Sequence, residues 1–103
     1  MHARVAVYRI KSGTAEDIAR KADAEGGMLG IFRAHVGFDS YELVGAGDVI
    51  VSISRWATAE QAEAASMAAR SWVAEHLGDA VQLESTHVGA LVLSSVAPEA
   101  VGL

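Results

Sequence analysis

The residues best suited to chemistry cluster in one segment of the chain, residues 48–77. Trp56 ends a β-branched run there, and His76 follows Trp72 by four residues, so the two share one face of a helix. An imidazole can act as a general base near neutral pH, and an indole ring can stack on a flat ligand. We therefore expect a pocket in this region, with His76 as catalytic base and Trp72 and Trp56 as substrate-binding residues.

Three further side chains are candidates for the same pocket. Tyr8 lies on the face of a predicted strand that should look toward the helices, where its hydroxyl could donate a hydrogen bond to a phenolic or quinone oxygen. We expect it to be catalytic together with His76. Arg33 and His35 lie where the first helix should end, and we expect them at the pocket mouth, in contact with substrate.

Each of these residues also has a structural interpretation, which the sequence leaves open. Trp56 and Trp72 can be core side chains, and Tyr8 can be a buried tyrosine with one hydrogen bond. His76 can stabilise the C-terminus of a helix, where the peptide dipoles favour a cation. Arg33 and His35 can lie at a solvated helix end, and His87 is expected at the surface or in a dimer interface.

Other kinds of site are not indicated. The four histidines lack the spacing with one another or with carboxylates that a metal site needs, and the chain has no cysteine. The glycines at residues 45–47 lack the third glycine of a dinucleotide loop and lead into a strand. We expect neither a metal nor a bound cofactor.

Composition limits the size, partners and location of the protein. A chain of 103 residues fits one domain, and its 51% hydrophobic content and mean hydropathy of +0.27 exceed what one small core can bury. A second copy of the chain is the simplest cover for the excess. The net charge of −5 and the scattered cations argue against nucleic acid. No apolar run suits a signal peptide or membrane span, so we expect a cytoplasmic protein.

The first half of the chain predicts a strand, a helix and a hairpin. Residues 3–10 form a strand that is apolar on both faces, and Thr14 then caps a helix. Its buried stripe should comprise Ile18, Ala22, Gly26, Leu29 and Arg33, with a kink or break at the glycine pair of residues 26–27. Residues 38–44 and 49–56 then read as a hairpin joined by a glycine-rich turn.

The second half predicts one long helix and a last strand. Thr58 and Gln61 form a capping box, and the helix should run to about Leu77. One face of this helix carries Ala62, Ala65, Ala69, Trp72, Val73 and His76. Residues 81–93 read as a strand. We expect the domain to span residues 1–94 and residues 95–103 to be an irregular tail.

This order of elements, β-α-β-β-α-β, predicts an α+β fold. With right-handed crossovers it gives a ferredoxin-like sandwich, an antiparallel sheet with two helices on one face. The other face of the sheet would be bare, although the strands are apolar on both faces. Pairing of two sheets in a homodimer would cover it.

The element order and two segments, residues 37–43 and 54–60, resemble the antibiotic biosynthesis monooxygenase (ABM-like) family of dimeric α/β barrels. The resemblance covers about residues 3–94. It implies a homodimer with facing sheets and a pocket between helices and sheet. It also implies one of two activities, which are cofactor-free monooxygenation of aromatic polyketides and haem degradation.

The family's functional residues are not matched in this chain. Both activities are associated with an asparagine, and the chain contains none. The family's strand asparagine, helix tryptophan and haem-ligating histidine fall at Ala6, about Ala65 and near Ala74, so haem degradation is not expected. Two hypotheses remain: a cofactor-independent monooxygenase acting on a small aromatic or polyketide-like substrate, or a non-catalytic homodimer that binds a small hydrophobic ligand or serves as an interaction module.

Overall fold

The computed structural model describes residues 1–95 as a four-stranded antiparallel sheet packed against helices. The strands are β1 (His2–Ile10), β2 (Phe38–Ala46), β3 (Val49–Trp56) and β4 (Val81–Ala90), in the sheet order β2-β3-β1-β4. The helices are α1 (Ala15–Asp23), α2 (Met28–Ala34) and α3 (Ala59–His76). This is the α+β ferredoxin-like sandwich that the sequence predicts. Most of the expected tail, residues 96–103, lies outside the described residues.

The two faces of the sheet have different environments because alternate side chains of a strand point to opposite sides. On the helix side, the central strands β1 and β3 bury Arg4, Ala6, Tyr8, Ile50, Ser52, Ser54 and Trp56. On the other side, Val5, Val7, Val51 and Ile53 are only half-buried. Tyr8 lies on the helix-facing side of β1, as predicted. None of the helices in residues 1–95 combines the length and apolarity needed to cross a membrane.

The first predicted helix is broken at the glycine pair. Thr14 and Asp17 form a capping box at the start of α1, which ends at Asp23, and α2 begins at Met28. Ile18 and Ala22 are buried as expected. The predicted continuation of the buried stripe through Gly26, Leu29 and Arg33 is wrong. Because α2 is a separate helix, its buried positions do not follow the spacing of α1. Met28 and Phe32 are the buried residues of α2, while Gly26 and Arg33 are exposed.

Helix α3 begins at the predicted capping box, in which Thr58 and Gln61 exchange hydrogen bonds. Its buried residues are Ala62, Ala65, Ser66, Ala69 and Trp72, and the short side chains let the helix lie close to the sheet. His76 does not continue this buried face, since its side chain is 48% exposed. Leu77, which directly follows the helix, fills the core position at this end instead.

Gly37 provides a test of how the α3 cap is packed. Its φ is +86°, and a Cβ would lie 1.8 Å from Gln61 Oε1, the atom that accepts from the Thr58 N–H. Gly37→Ala should cost about 1–2 kcal/mol for the left-handed backbone and about 1 kcal/mol more for the lost cap. Gly26→Ala is the matched control, since its φ is +77° and nothing lies within 4 Å. Equal losses in urea unfolding would contradict this account.

Candidate functional site

A small cavity lies between the sheet and the helices, and its volume of about 30 Å³ has room for roughly two water molecules. Its polar lining side chains come from three strands: Arg4 and Tyr8 of β1, Tyr41 of β2 and Ser52 of β3. The other lining side chains are apolar and include Trp72 of α3. The cavity is therefore an apolar space with a few polar groups on its sheet side.

Strand alternation brings these polar groups together. Tyr8 follows Arg4 by four positions on β1. Because alternate residues of a strand point to the same side, both side chains point toward the helices. Ser52 lies opposite Ala6, the residue midway between them. The helix residues Ala22 and Ala69 also line the cavity, and their short side chains leave the space above the sheet unfilled.

Arg4 is the most unusual residue of the cavity, because its charged side chain is only 1% exposed. Its Nε donates to Ser66 Oγ at 3.1 Å, and its Nη2 donates to the Tyr8 hydroxyl at 3.3 Å. No carboxylate of residues 1–95 lies within ion-pairing distance of it. A buried charge without an opposite charge costs several kcal/mol, so such groups are rare and are enriched at functional sites.

Arg4 is not among the site residues predicted from the sequence. The available signal was its position, because it shares a strand face with Ala6 and Tyr8 in a strand predicted to be covered on both sides. An arginine on a buried strand face is unexpected unless a ligand or a partner needs its charge. That signal depends on knowing that the strand is central in the sheet.

The hydroxyls of both tyrosines accept hydrogen bonds in this environment. The Tyr8 oxygen accepts from Arg4, which leaves its own O–H free to donate to a ligand. Burial raises the pKa of Tyr41 to about 12, opposed by a hydrogen bond from Ser52. Tyr41 is therefore a neutral phenol at physiological pH and is not available as a base.

Acidic and basic catalysts are missing from the cavity wall. Arg4 is the charged residue in the lining, which contains no aspartate, glutamate or histidine. Within residues 1–95, no three histidine, cysteine or acidic side chains come close enough to hold a metal ion. The cavity can thus hydrogen-bond an acceptor or an anion, but its described residues offer no base for removing a proton.

The structure brings two of the predicted site residues together and keeps a third apart. Tyr8 and Trp72 both line the cavity. Trp72 Nε1 donates to the carbonyl of Gly26 at 3.0 Å, which fixes the indole against the break between α1 and α2. His76 lies beside this indole, with ring centroids 5.2 Å apart, but in a surface depression that Trp72 separates from the cavity.

The other predicted substrate-binding residues lie away from the cavity. Trp56 is fully buried, packs edge-on against Phe32 and Phe38, and donates from Nε1 to Ser54 Oγ. His35 lies next to this cluster, with Nδ1 2.9 Å from the carbonyl oxygen of Ile31. The exposed Arg33 side chain does not line the cavity either.

Solved structures share this architecture. SnoaB, a cofactor-independent oxygenase from Streptomyces nogalater, has a TM-score of 0.69 and 14% identity, over 91% of this chain and 95% of its own. A protein from Chloroflexus aurantiacus, provisionally assigned as an antibiotic biosynthesis monooxygenase, has a TM-score of 0.62 and 15% identity, over 90% and 94%. Atu4242 from Agrobacterium tumefaciens has a TM-score of 0.62 and 20% identity, over 94% and 100%.

These likenesses establish the fold. No protein-family model and no curated protein sequence matches the chain. At 14–20% identity the solved structures show a common architecture and leave the activity open. The fold expected from the resemblance to the ABM-like family is confirmed.

The pKa of Tyr41 gives a pH-dependent prediction. Burial favours the neutral phenol of Tyr41 only in the folded state. The contribution of this effect to the free energy of unfolding is complete below the unfolded pKa of about 10. It is lost as the pH rises through the folded pKa of about 12. The free energy of unfolding in urea should therefore fall between about pH 10 and pH 12, and Tyr41→Phe should reduce this fall. Tyr8→Phe is the comparison variant and should retain most of the fall, because burial is the largest cause of the raised pKa of Tyr41 and Tyr8 a smaller one. An identical pH dependence in wild type and Tyr41→Phe would contradict the assignment.

Proposed function

We propose that the protein is a cofactor-independent oxygenase acting on a small aromatic or polyketide-like molecule in the cavity between helices and sheet. The observation that supports this most directly is a mostly apolar cavity whose lining combines the hydrogen-bonding side chains of Arg4 and Tyr8 with the indole ring of Trp72. SnoaB has the same fold and is a cofactor-independent oxygenase, which makes this chemistry the natural one to test. No metal or cofactor is part of the proposal.

In such a reaction the substrate itself reduces dioxygen. A methylene carbon activated by a neighbouring phenol or ketone loses two hydrogens, one oxygen atom becomes the new carbonyl oxygen, and the other leaves as water. The reactive species is the enolate or phenolate, so a site that stabilises negative charge accelerates the step. An apolar surrounding keeps water away from the reactive intermediate.

The residues receive distinct roles in this proposal. Tyr8 donates a hydrogen bond to the substrate oxygen, and Trp72 stacks on its ring. Since the cavity wall has no base, His76 accepts the substrate proton in the adjacent depression, before the substrate passes Trp72. Tyr41 stays neutral and forms part of the polar lining on the sheet side of the cavity.

Binding of an aromatic substrate requires Trp72 to move. The cavity of about 30 Å³ is too small for a ring system, whereas the depression beyond Trp72 measures about 280 Å³. Rotation of the indole would join the two spaces and would break its hydrogen bond to Gly26. Trp72 then has two functions, as the closed wall of the cavity and as a stacking surface.

Oxygen uptake with a panel of hydroquinones and phenolic ketones tests the activity. Tyr8→Phe should lower kcat/KM about 100-fold, the usual effect of removing one donor to an oxyanion. His76→Gln should lower it by a similar factor through loss of the base. Glu63→Gln, on the exposed side of α3, is the control and should have no effect. Oxygen uptake that is unchanged in Tyr8→Phe and His76→Gln would contradict the assignment.

A second candidate is a non-catalytic module that binds a small ligand. The absence of acidic and histidine side chains from the cavity lining favours it, because general acid–base catalysis needs such groups in contact with substrate. Under this alternative, ligands bind in the cavity and no member of the panel supports oxygen uptake. Binding in calorimetric titration without oxygen uptake from the same compounds would therefore support the binding module over the oxygenase.

We also propose that the protein is a homodimer with facing sheets. The open face of the sheet presents Val5, Val7, Val51 and Ile53, which are half-buried in the single chain. A contiguous apolar face on a central pair of strands is suited to burial against another sheet. A second copy offers a matching apolar face by two-fold symmetry.

Val51 is the residue with which to test the dimer. It pairs with Val7 on β1 and Val44 on β2, so it lies within the open face rather than at its edge. Val51→Lys should convert a dimer to a monomer in sedimentation equilibrium, because a lysine there would be buried without a partner. Ser71→Lys, on the exposed side of α3, should leave the dimer intact. A monomeric wild-type protein would contradict the proposal.

A further inference from the structure

We propose that the buried guanidinium of Arg4 is an anion-binding site, so that the cavity takes its ligand as an oxyanion, such as a carboxylate, an enolate or a phenolate. This inference names the class of ligand for the cavity. It applies to an oxygenase and to a binding module alike, and it does not rest on turnover.

The hydrogen bonds of Arg4 leave most of its capacity unused. A guanidinium has five N–H donors, and the described residues accept from two of its nitrogens, at Ser66 Oγ and at the Tyr8 hydroxyl. Both acceptors are neutral, so neither offsets the positive charge. The other N–H groups of Arg4 remain available to a ligand. A guanidinium binds best to a group with two acceptor oxygens, such as a carboxylate, because two parallel hydrogen bonds can form.

The described residues that pair with or contact Arg4 carry no negative charge. Its neighbours across the sheet are Ser54 on β3 and Val88 on β4, and the α3 residue that it contacts is Ser66. The cavity lining contains no carboxylate. The local charge is therefore positive, and it is enclosed in apolar surroundings that strengthen its attraction for an anion.

Tyr8 complements the guanidinium. Its oxygen is occupied by the Arg4 N–H, so its own proton is free to be donated into the cavity. An oxyanion in the cavity beside this hydrogen-bonded pair would receive a charge-assisted hydrogen bond from Arg4 and a second bond from Tyr8. Such bonds are shorter and about twice as strong as neutral ones.

The cavity volume suits the charged end of a ligand. About 30 Å³ can hold a carboxylate group, or the single oxygen of a phenolate, in place of roughly two water molecules. The remainder of a larger ligand would extend toward Trp72, which forms the wall on the helix side. Acetate is thus a suitable probe, and acetamide is a neutral control of the same shape.

The test compares these two probes on the full chain at constant ionic strength. Acetate should raise the Tm in a saturable way and bind about tenfold more tightly than acetamide, since a ligand that binds the native state stabilises it. Arg4→Met should abolish the acetate effect. It should also raise the Tm of the free protein, because an apolar side chain replaces a buried unpaired charge. Arg70→Met, on the exposed side of α3, should retain the acetate effect.

Arg4→Lys provides a second variant that keeps the cation, and it should still prefer acetate over acetamide. Equal responses to acetate and acetamide in wild type would overturn the proposal, and so would an acetate effect that survives Arg4→Met. A protein that consumes no oxygen but retains the acetate preference would overturn only the oxygenase function. Loss of the preference in an active enzyme would overturn only the anion site.

Discussion

The guanidinium of Arg4 is withdrawn from water by the sheet that carries it and by α3, which lies over it. A cation in that position needs hydrogen-bond acceptors, and the surrounding sequence supplies neutral ones. Ser66 interrupts the row of alanines on the buried face of α3 at the point where Arg4 reaches the helix. Tyr8 provides the second acceptor from the same strand face. The polar side of the cavity therefore follows from the burial of one charge.

The remaining architecture gives that charge a closed environment. Alanines on α3 bring the helix close to the sheet, and those at the cavity leave space rather than fill it. The break between α1 and α2 exposes the Gly26 carbonyl, which accepts from Trp72 and fixes the indole as a wall. At the other end of the core, Trp56 and two phenylalanines form a tightly packed aromatic cluster. Aromatic side chains thus fill one end of the core, while the other end contains a cavity.

Local signals in the sequence were sufficient for most of the fold. The Thr58–Gln61 capping box and the hairpin depend on residues close together in the chain, and both were predicted correctly. The phase of α2 was not, because it depends on where a new helix starts after the glycine break. His76 was expected on the buried face of α3, but helical spacing alone does not show that Leu77 fills that position.

The candidate site was predictable only in part, for a related reason. Strand alternation and helical spacing correctly placed Tyr8 and Trp72 on surfaces that face each other. Arg4 was missed because an arginine in a strand usually lies on an exposed face, and its burial depends on the order of strands in the sheet. The order of strands in a sheet cannot be read directly from a single sequence.

The most direct measurement of the central claim is an NMR spectrum of the arginine Nε–Hε groups. If Arg4 is a buried cation that is free to bind an oxyanion, its Nε–H should exchange slowly with water and shift saturably with acetate but not with acetamide. The exposed Arg33 should exchange rapidly and show no such preference. Rapid exchange at Arg4, or equal shifts with both probes, would contradict the account.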